Sequence, residues 1–353
     1  MAEFRVPHIV LPEYISLWAR AHPNKPAVAC GGEQLSWGQF SAAVDGVAAG
    51  LAARGVAPGD CVAILAANSL DTIVAYWGTL RAGAVVASLS TMLRADALIR
   101  MIRDSSARVV IAGGVDPVPC AELRAAVSDI PAANWIALGA CLPDWAAFGD
   151  LAADPADLFP AAAIDAESVC NIIYSSGTTG LPKGIVHTHA CRTASAYLLG
   201  MEQRFDSRCI TLGTTALYSN TGWSLMIMTF LVGGTFMLMP KYDARAWLEI
   251  VAAERVSHTL MVPVQFRTIL DEPDFAAADT SSLKMICTVG SSMPINLKRE
   301  VETAFACGLF EIYGLTEGFV TLRKPEDPPE KMGSVGRPGM GNDLRIQIGR
   351  AHV

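Results

Sequence analysis

An α/β fold with mainly parallel sheets is what this sequence predicts, and three observations carry it. Residues 61–112, and again 168–314, alternate short β-prone runs with helical runs, the order that builds strand–helix–strand units. Hydrophobic residues make up 52% of the 353 residues and charged residues only 17%, which is ample material for a large buried core. The densest glycine- and hydroxyl-rich stretch, residues 174–184, lies between two strand-like runs rather than inside a linker. The length suits roughly two domains.

The elements follow in order. Phe40, Ala43, Val44, Val47 and Leu51 share one helical face, and Gly55 suits the end of that helix. Residues 61–65 read as a strand. Ser69 can cap a helix whose Leu70, Ile73, Val74, Trp77 and Leu80 lie on one side, with Gly83 closing it. A strand at 84–88, a helix at 95–104 and a strand at 108–112 complete a first parallel unit. Residues 113–167, rich in Ala, Pro and Asp, read as surface helices and loops. A second unit has strands at 170–174, 235–239, 258–261, 285–289 and 309–313. Its helices include 244–254, with Trp247, Ile250 and Val251 inward, and 294–305. The expected division is 1–167, 168–318 and 319–353.

One segment resembles a membrane span. No charge occurs between Arg208 and Lys241, and 222–239 is largely apolar. Gly233-Gly234 splits it and Pro240 ends it, so it reads as a buried helix at 222–231, a turn, and a buried strand at 235–239. No transmembrane segment and no signal peptide are expected. The net charge of -7 argues against nucleic acid as a partner. Nine cysteines without a C-x-x-C pair suit reduced thiols and a cytoplasmic location.

The chemistry concentrates in Tyr174-Ser175-Ser176-Gly177-Thr178-Thr179-Gly180-Leu181-Pro182-Lys183-Gly184. Glycines let a backbone approach a ligand closely, and successive N–H groups with hydroxyls make an anion cradle. A lysine adds a point charge suited to phosphate. The spacing is not that of a Walker A loop, which needs Gly-Lys-Ser/Thr four residues after its first glycine. A ligand-free flexible turn is the commoner fate of such composition. The flanking strands, the Pro-Lys-Gly ending and a second motif weigh against it. That second motif is Tyr313-Gly314-Leu315-Thr316-Glu317, again just after a β-like run, at the carboxyl end where α/β proteins bind ligands. An aromatic ring there can stack on a purine, a hydroxyl can reach phosphate, and a carboxylate can hold Mg²⁺. Gly290-Ser291-Ser292-Met293-Pro294 forms a third strand-end turn. His187 and His189 flank Thr188, but no third ligand lies nearby and no metal is assigned to them.

The loop at 174–184 closely resembles the signature of the adenylate-forming acyl-activating enzymes, Ser/Thr-Ser-Gly-Thr/Ser-Thr-Gly-x-Pro-Lys-Gly, at each fixed position. That superfamily includes acyl- and aryl-CoA synthetases, luciferases and peptide-synthetase adenylation domains. Tyr-Gly-x-Thr-Glu is similar to its second motif. The resemblance implies two stacked α/β subdomains, then a β-barrel subdomain that 319–353 would only begin, with 343–348 strand-like. Gly333-Ser334-Val335-Gly336-Arg337-Pro338 resembles the run leading into that barrel and is treated as structural. The family's mobile C-terminal domain, with its catalytic lysine, is expected to be absent.

The resemblance further implies an AMP-forming acid–thiol ligase of the fatty-acid–CoA ligase type. ATP, Mg²⁺ and CoA would serve it, and its substrate would be a small-molecule carboxylic acid. Ser175, Ser176, Gly177, Thr178, Thr179, Gly180 and Lys183 would hold the phosphates. Gly290, Ser291, Ser292, Tyr313 and Gly314 would bind adenine, and Thr316, Glu317 and Lys183 would carry the chemistry, Glu317 through Mg²⁺. Tyr218, Asn220, Trp223 and Val264 are the expected acyl pocket. Ser219 stands where many acyl-CoA synthetases have a histidine. The absence of the aspartate that holds an amino group argues for a plain acid, and the uncharged stretch leans toward a fatty or other apolar one. Turnover by this length of chain is expected to be impaired; the alternative is a nucleotide- or acyl-binding module without catalysis.

Overall fold

The computed structural model describes residues 10–139, 142, 144–151, 164–175 and 182–346. The chain opens with α1 (Leu11–Ala21), β1 (Pro26–Cys30), β2 (Glu33–Ser36) and α2 (Trp37–Ala53). Ser36 and Gln39 start α2 with a reciprocal capping box. Then come β3 (Cys61–Ala66), α3 (Leu70–Arg81), β4 (Val85–Ser88), α4 (Ala95–Asp104) and β5 (Ala107–Gly113). Ser69 caps α3 by accepting from the Thr72 N–H. After α5 (Pro117–Ala126), β6 (Trp135–Leu138) and β7 (Ala146–Ala147) the chain reaches the hairpin of β8 (Val169–Ser175) and β9 (Lys183–Thr188). It continues through α6 (His189–Glu202), β10 (Ile210–Gly213), α7 (Asn220–Leu231), β11 (Thr235–Leu238), α8 (Ala244–Glu254), β12 (His258–Met261) and α9 (Pro263–Leu270). The last elements are β13 (Met285–Thr288), α10 (Ile295–Ala304), β14 (Gly308–Gly314), β15 (Val320–Arg323) and β16 (Arg337–Pro338).

Two sheets result. One runs β7-β6-β5-β3-β4-β8-β9, the other β16-β15-β14-β13-β12-β10-β11-β1-β2. Both are parallel through their middles and turn antiparallel only at edges, at β8/β9 in the first and at β1/β2, β14/β15 and β15/β16 in the second. Between them lie α2, α3 and α7. Phe230 of α7 packs against Trp37 and Phe40 of α2 and Trp77 of α3, with ring centroids 5.2, 5.5 and 4.9 Å apart. Packed between the two sheets, α7 is buried from 225 to 230 and largely apolar there. Among the described residues no helix is long and apolar enough to cross a membrane.

Several elements depart from expectation. The strand expected at 170–174 does not open the second sheet; β8 pairs with β4 in the first. The second sheet instead takes in β1 from near the N-terminus, beside β11. Strand β10 at its centre, and the buried β6 within the stretch read as surface, were not expected. Residues 343–346 form no strand, and 347–348 lie outside the described residues. In place of a barrel strand, β15 and β16 extend the sheet edge.

Candidate active site

The two motifs sit on equivalent structures, hairpins that turn a parallel sheet edge antiparallel. Ser175 and Lys183 face each other across the β8/β9 pair. Lys183 is exposed and Ser175 half-buried. Ser176, Gly177, Thr178, Thr179, Gly180 and Leu181 lie outside the described residues. The Tyr174 hydroxyl anchors the base of the hairpin to α4, at 3.0 Å from the Met101 carbonyl and 2.8 Å from Asp104 Oδ2.

In the second sheet, Gly314 pairs with Val320 and the Leu315 N–H donates to the Phe319 carbonyl, closing the turn that carries Thr316 and Glu317. A Cβ on Gly314 would lie 2.5 Å from the Phe319 oxygen, so only glycine fits there. Gly290, just past β13, has φ +91°, also open chiefly to glycine. Glu317 is exposed, and Tyr313 is 49% exposed with its ring edge-on to Phe319. Ser291 and Ser292 are exposed beside Gly290.

Asn220, Gly290, Gly314 and Thr316 border one cavity of about 180 Å³. They come from the start of α7 and from the ends of β13 and β14, the carboxyl edge of the parallel sheet. Thr221 and Ser224 add polar groups to the wall, whereas Leu199, Met228, Leu260 and Ile312 make the rest apolar. The helical period explains the α7 set: 220, 221, 224 and 228 share one side. Asn220 alone was anticipated; Ser224 and Met228 could have been found from it at four-residue steps.

Other expected acyl-pocket residues are not at this cavity. Trp223, on an adjoining face of α7, is fully buried; it stacks on Tyr76 at 5.1 Å and donates to Ser88 Oγ at 3.1 Å. Val264 is 65% exposed in the first turn of α9, because its neighbours Gln265 and Phe266 take the buried positions. Tyr218 is half-buried and does not border the cavity.

Behind the cavity wall lies a polar cluster that sequence reasoning missed. Arg192 of α6 is 5% exposed. Its Nε donates to Asn171 Oδ1 at 3.0 Å and its Nη1 to Asn220 Oδ1 at 2.6 Å. Its Nη2 lies 3.3 Å from His187 Nδ1, and the guanidinium carbon sits 5.9 Å from the Trp223 ring centre. His187 Nε2 is 2.8 Å from the Thr316 carbonyl oxygen. This contact ties β9 to the Thr316–Glu317 turn. Lys183 is four strand residues before His187, about 13 Å along the strand.

Burial, and then the neighbouring Arg192, hold His187 down to about 4. Burial lowers Arg192 to about 10 and leaves it charged at neutral pH. His189 faces elsewhere, accepting from the Leu11 N–H at 3.3 Å, and burial lowers it to about 4.

The family description "AMP-binding enzyme" matches residues 15–347. Among curated proteins, indoleacetate–CoA ligase of Aromatoleum aromaticum is 30% identical over 95% of this chain and 66% of its own length. Long-chain-fatty-acid–CoA ligase FadD13 of Mycobacterium tuberculosis is 30% identical over 89% of this chain and 61% of its own length. Among solved structures, the inhibitor-bound N-terminal domain of FACL13 from Mycobacterium tuberculosis superposes with a TM-score of 0.82 at 27% identity, over 94% of this chain and 82% of that one. The chain thus spans under two thirds of the length of these curated relatives. It belongs to the AMP-binding enzyme family and corresponds to the N-terminal domain of that adenylate-forming superfamily.

Proposed function

We propose that the chain forms the acid- and nucleotide-binding part of an AMP-forming acid–thiol ligase, an acyl-CoA synthetase. One observation carries the reading: Asn220, Gly290, Gly314 and Thr316 share a cavity, and His187 links Thr316 to the strand that begins at Lys183. In this reading the body of the acid occupies the cavity and its carboxylate lies toward Thr316. A carboxylate oxygen attacks the α-phosphorus of ATP, the bond to the bridging oxygen breaks, and pyrophosphate leaves. The CoA thiol then attacks the acyl carbonyl, loses its proton, and releases AMP. No protein nucleophile is needed, so positioning and charge neutralisation supply the rate.

The residues take the following roles. Ser175, Ser176, Gly177, Thr178, Thr179, Gly180 and Lys183 cradle the β- and γ-phosphates. Tyr313 stacks on adenine, with Gly290, Ser291, Ser292 and Gly314 along its edge. Glu317 suits Mg²⁺, because it is an exposed lone carboxylate, and this ion takes one or two carboxylates and completes its shell with phosphate oxygens and water. Bound there, Mg²⁺ neutralises charge on the phosphates.

The acid is apolar and compact. A dry cavity of about 150 Å³ holds a benzene ring, so about 180 Å³ suits one ring or a short chain ahead of a long fatty one. Exchange of labelled pyrophosphate into ATP, run with aryl and short aliphatic acids, tests this. Acid-dependent exchange with at least one of them is expected. Calorimetric binding of Mg·ATP without exchange would favour a binding module, and no binding at millimolar ATP would sink both.

A further inference from the structure

We infer that Arg192 is a positioning residue of this site: it orients the Asn220 amide on the cavity wall and, through His187, holds the Thr316 backbone. The inference rests on the proposed reading that the cavity receives the acid. Its starting point is an imbalance. A buried guanidinium is normally matched by a carboxylate, since an uncompensated buried charge is costly. Among the described residues Arg192 has none. Its acceptors are two amide oxygens and an imidazole nitrogen, all neutral, with the Trp223 ring against its face.

The consequence follows from what each group can do. A guanidinium only donates. Asn220 must therefore turn its oxygen toward Arg192, which sends its Nδ2 hydrogens the other way. Nothing among the described residues accepts from that nitrogen, and Asn220 borders the cavity. His187 is constrained in the same way. To accept from Arg192, Nδ1 carries no proton; Nε2 then carries it and donates to the Thr316 carbonyl, which only accepts. One tautomer satisfies both contacts.

The same demand fixes Asn171 at a visible cost. Its oxygen is taken by Arg192 and its buried Nδ2 is left without a partner. Asn171 on β8, His187 on β9 and Asn220 on α7 are thus keyed to one side chain. The result is a cavity wall whose one amide points its donors inward, beside a backbone carbonyl held still.

The test uses this chain, with benzoate, phenylacetate and hexanoate as probes, thermal melts as the folding control, and the ¹⁵N side-chain amide signal of Asn220, assigned through Asn220→Ala. In the wild type, acid binding shifts that signal. Arg192→Met, still folded, should lose acid affinity at least about ten-fold and lose the shift, and Arg192→Lys should regain only part. Unchanged affinity in folded Arg192→Met, or an Asn220 signal indifferent to bound acid, overturns the inference and leaves the cavity reading standing. If the wild type binds no probe, the cavity reading itself fails and takes the inference with it. Should Arg192→Met not fold, His187→Gln and His187→Leu decide. Glutamine can accept from Arg192 and donate to Thr316, so it should keep acid affinity within about two-fold while leucine loses about ten-fold; equal behaviour of the two overturns the inference.

Discussion

Lys298 and Arg192 are both buried cations, and they are held in opposite ways. Lys298, on α10, is 3% exposed; its Nζ lies 2.5 Å from Glu311 Oε2 on β14 and 2.9 Å from the Met332 carbonyl. It is a scaffold pair, fixing the segment before β16 to the sheet. Arg192 is as deeply buried yet meets only neutral acceptors, beside the cavity. A cation that merely holds a scaffold together is best served by a carboxylate. One whose partners are an amide on the cavity wall and an imidazole reaching a backbone carbonyl instead dictates how those groups point.

The largest effect should fall on the scaffold pair. Lys298→Met leaves Glu311 buried without a counter-charge, and urea denaturation should show a loss of about 3–5 kcal/mol. Changing both residues to apolar ones of similar volume should recover most of it. A single-variant loss below about 1 kcal/mol would erase the contrast, because Lys298 would then be no more tightly coupled than a surface ion.

Arg192→Met should cost less, about 1–3 kcal/mol, since what remains is a set of unsatisfied neutral acceptors rather than a bare charge. Equal losses at the two positions in the same denaturation series would mean that neutral partners hold a buried cation as firmly as a carboxylate does.

Neither buried cation is legible in the sequence, and the reason is physical. Local pattern reports local structure. The helices at 95–104 and 244–254 and the strand at 258–261 match their expected bounds, because period and caps lie within the segment. Sheet membership is not local. That β1 pairs with β11 and β8 with β4 depends on partners far away in the chain. The site divides along the same line. Asn220, Gly290, Gly314 and Thr316 are strand-end or helix-start residues that motif position reveals, and they share the cavity. Trp223 and Val264 are expected from the place of their segments, 217–223 by its resemblance to a family motif and 262–266 as the facing wall, whereas the rotation of α7 and α9 decides which side chains face inward. Arg192 lies in a helix of mixed polarity, where a charge ordinarily marks the solvated face. Only the packing of α6 against α7 puts it inside.

Lys183 sharpens the comparison from the exposed side. It is a cation with no buried partner to satisfy, so Lys183→Ala should leave the melting temperature unchanged. Calorimetry should show Mg·ATP affinity weakened about ten-fold, the effect of one charge-assisted contact to phosphate. Unchanged affinity would remove Lys183 from the phosphate site.

The smallest expected effect is on pH dependence, and it probes the Arg192–His187 contact directly. His187, His189 and His258 are all lowered by burial to about 4. Above the ordinary histidine value near 6.5 both folded and unfolded chains hold these rings neutral, and stability is at its plateau. Below it the unfolded chain takes up protons that the folded chain refuses until about pH 4, so stability falls across that window as pH falls. The groups facing His187 are Arg192, which opposes a second proton, and the Thr316 carbonyl and Glu317, which favour it. Replacing His187 by glutamine keeps both hydrogen bonds but removes one of the three titrating rings. Denaturation from pH 7 to pH 4 should then show a shallower loss for His187→Gln, with the pH 7 values nearly equal. An unchanged slope would mean that His187 takes up its second proton as readily in the folded chain as in the unfolded one, so that Arg192 does not oppose it.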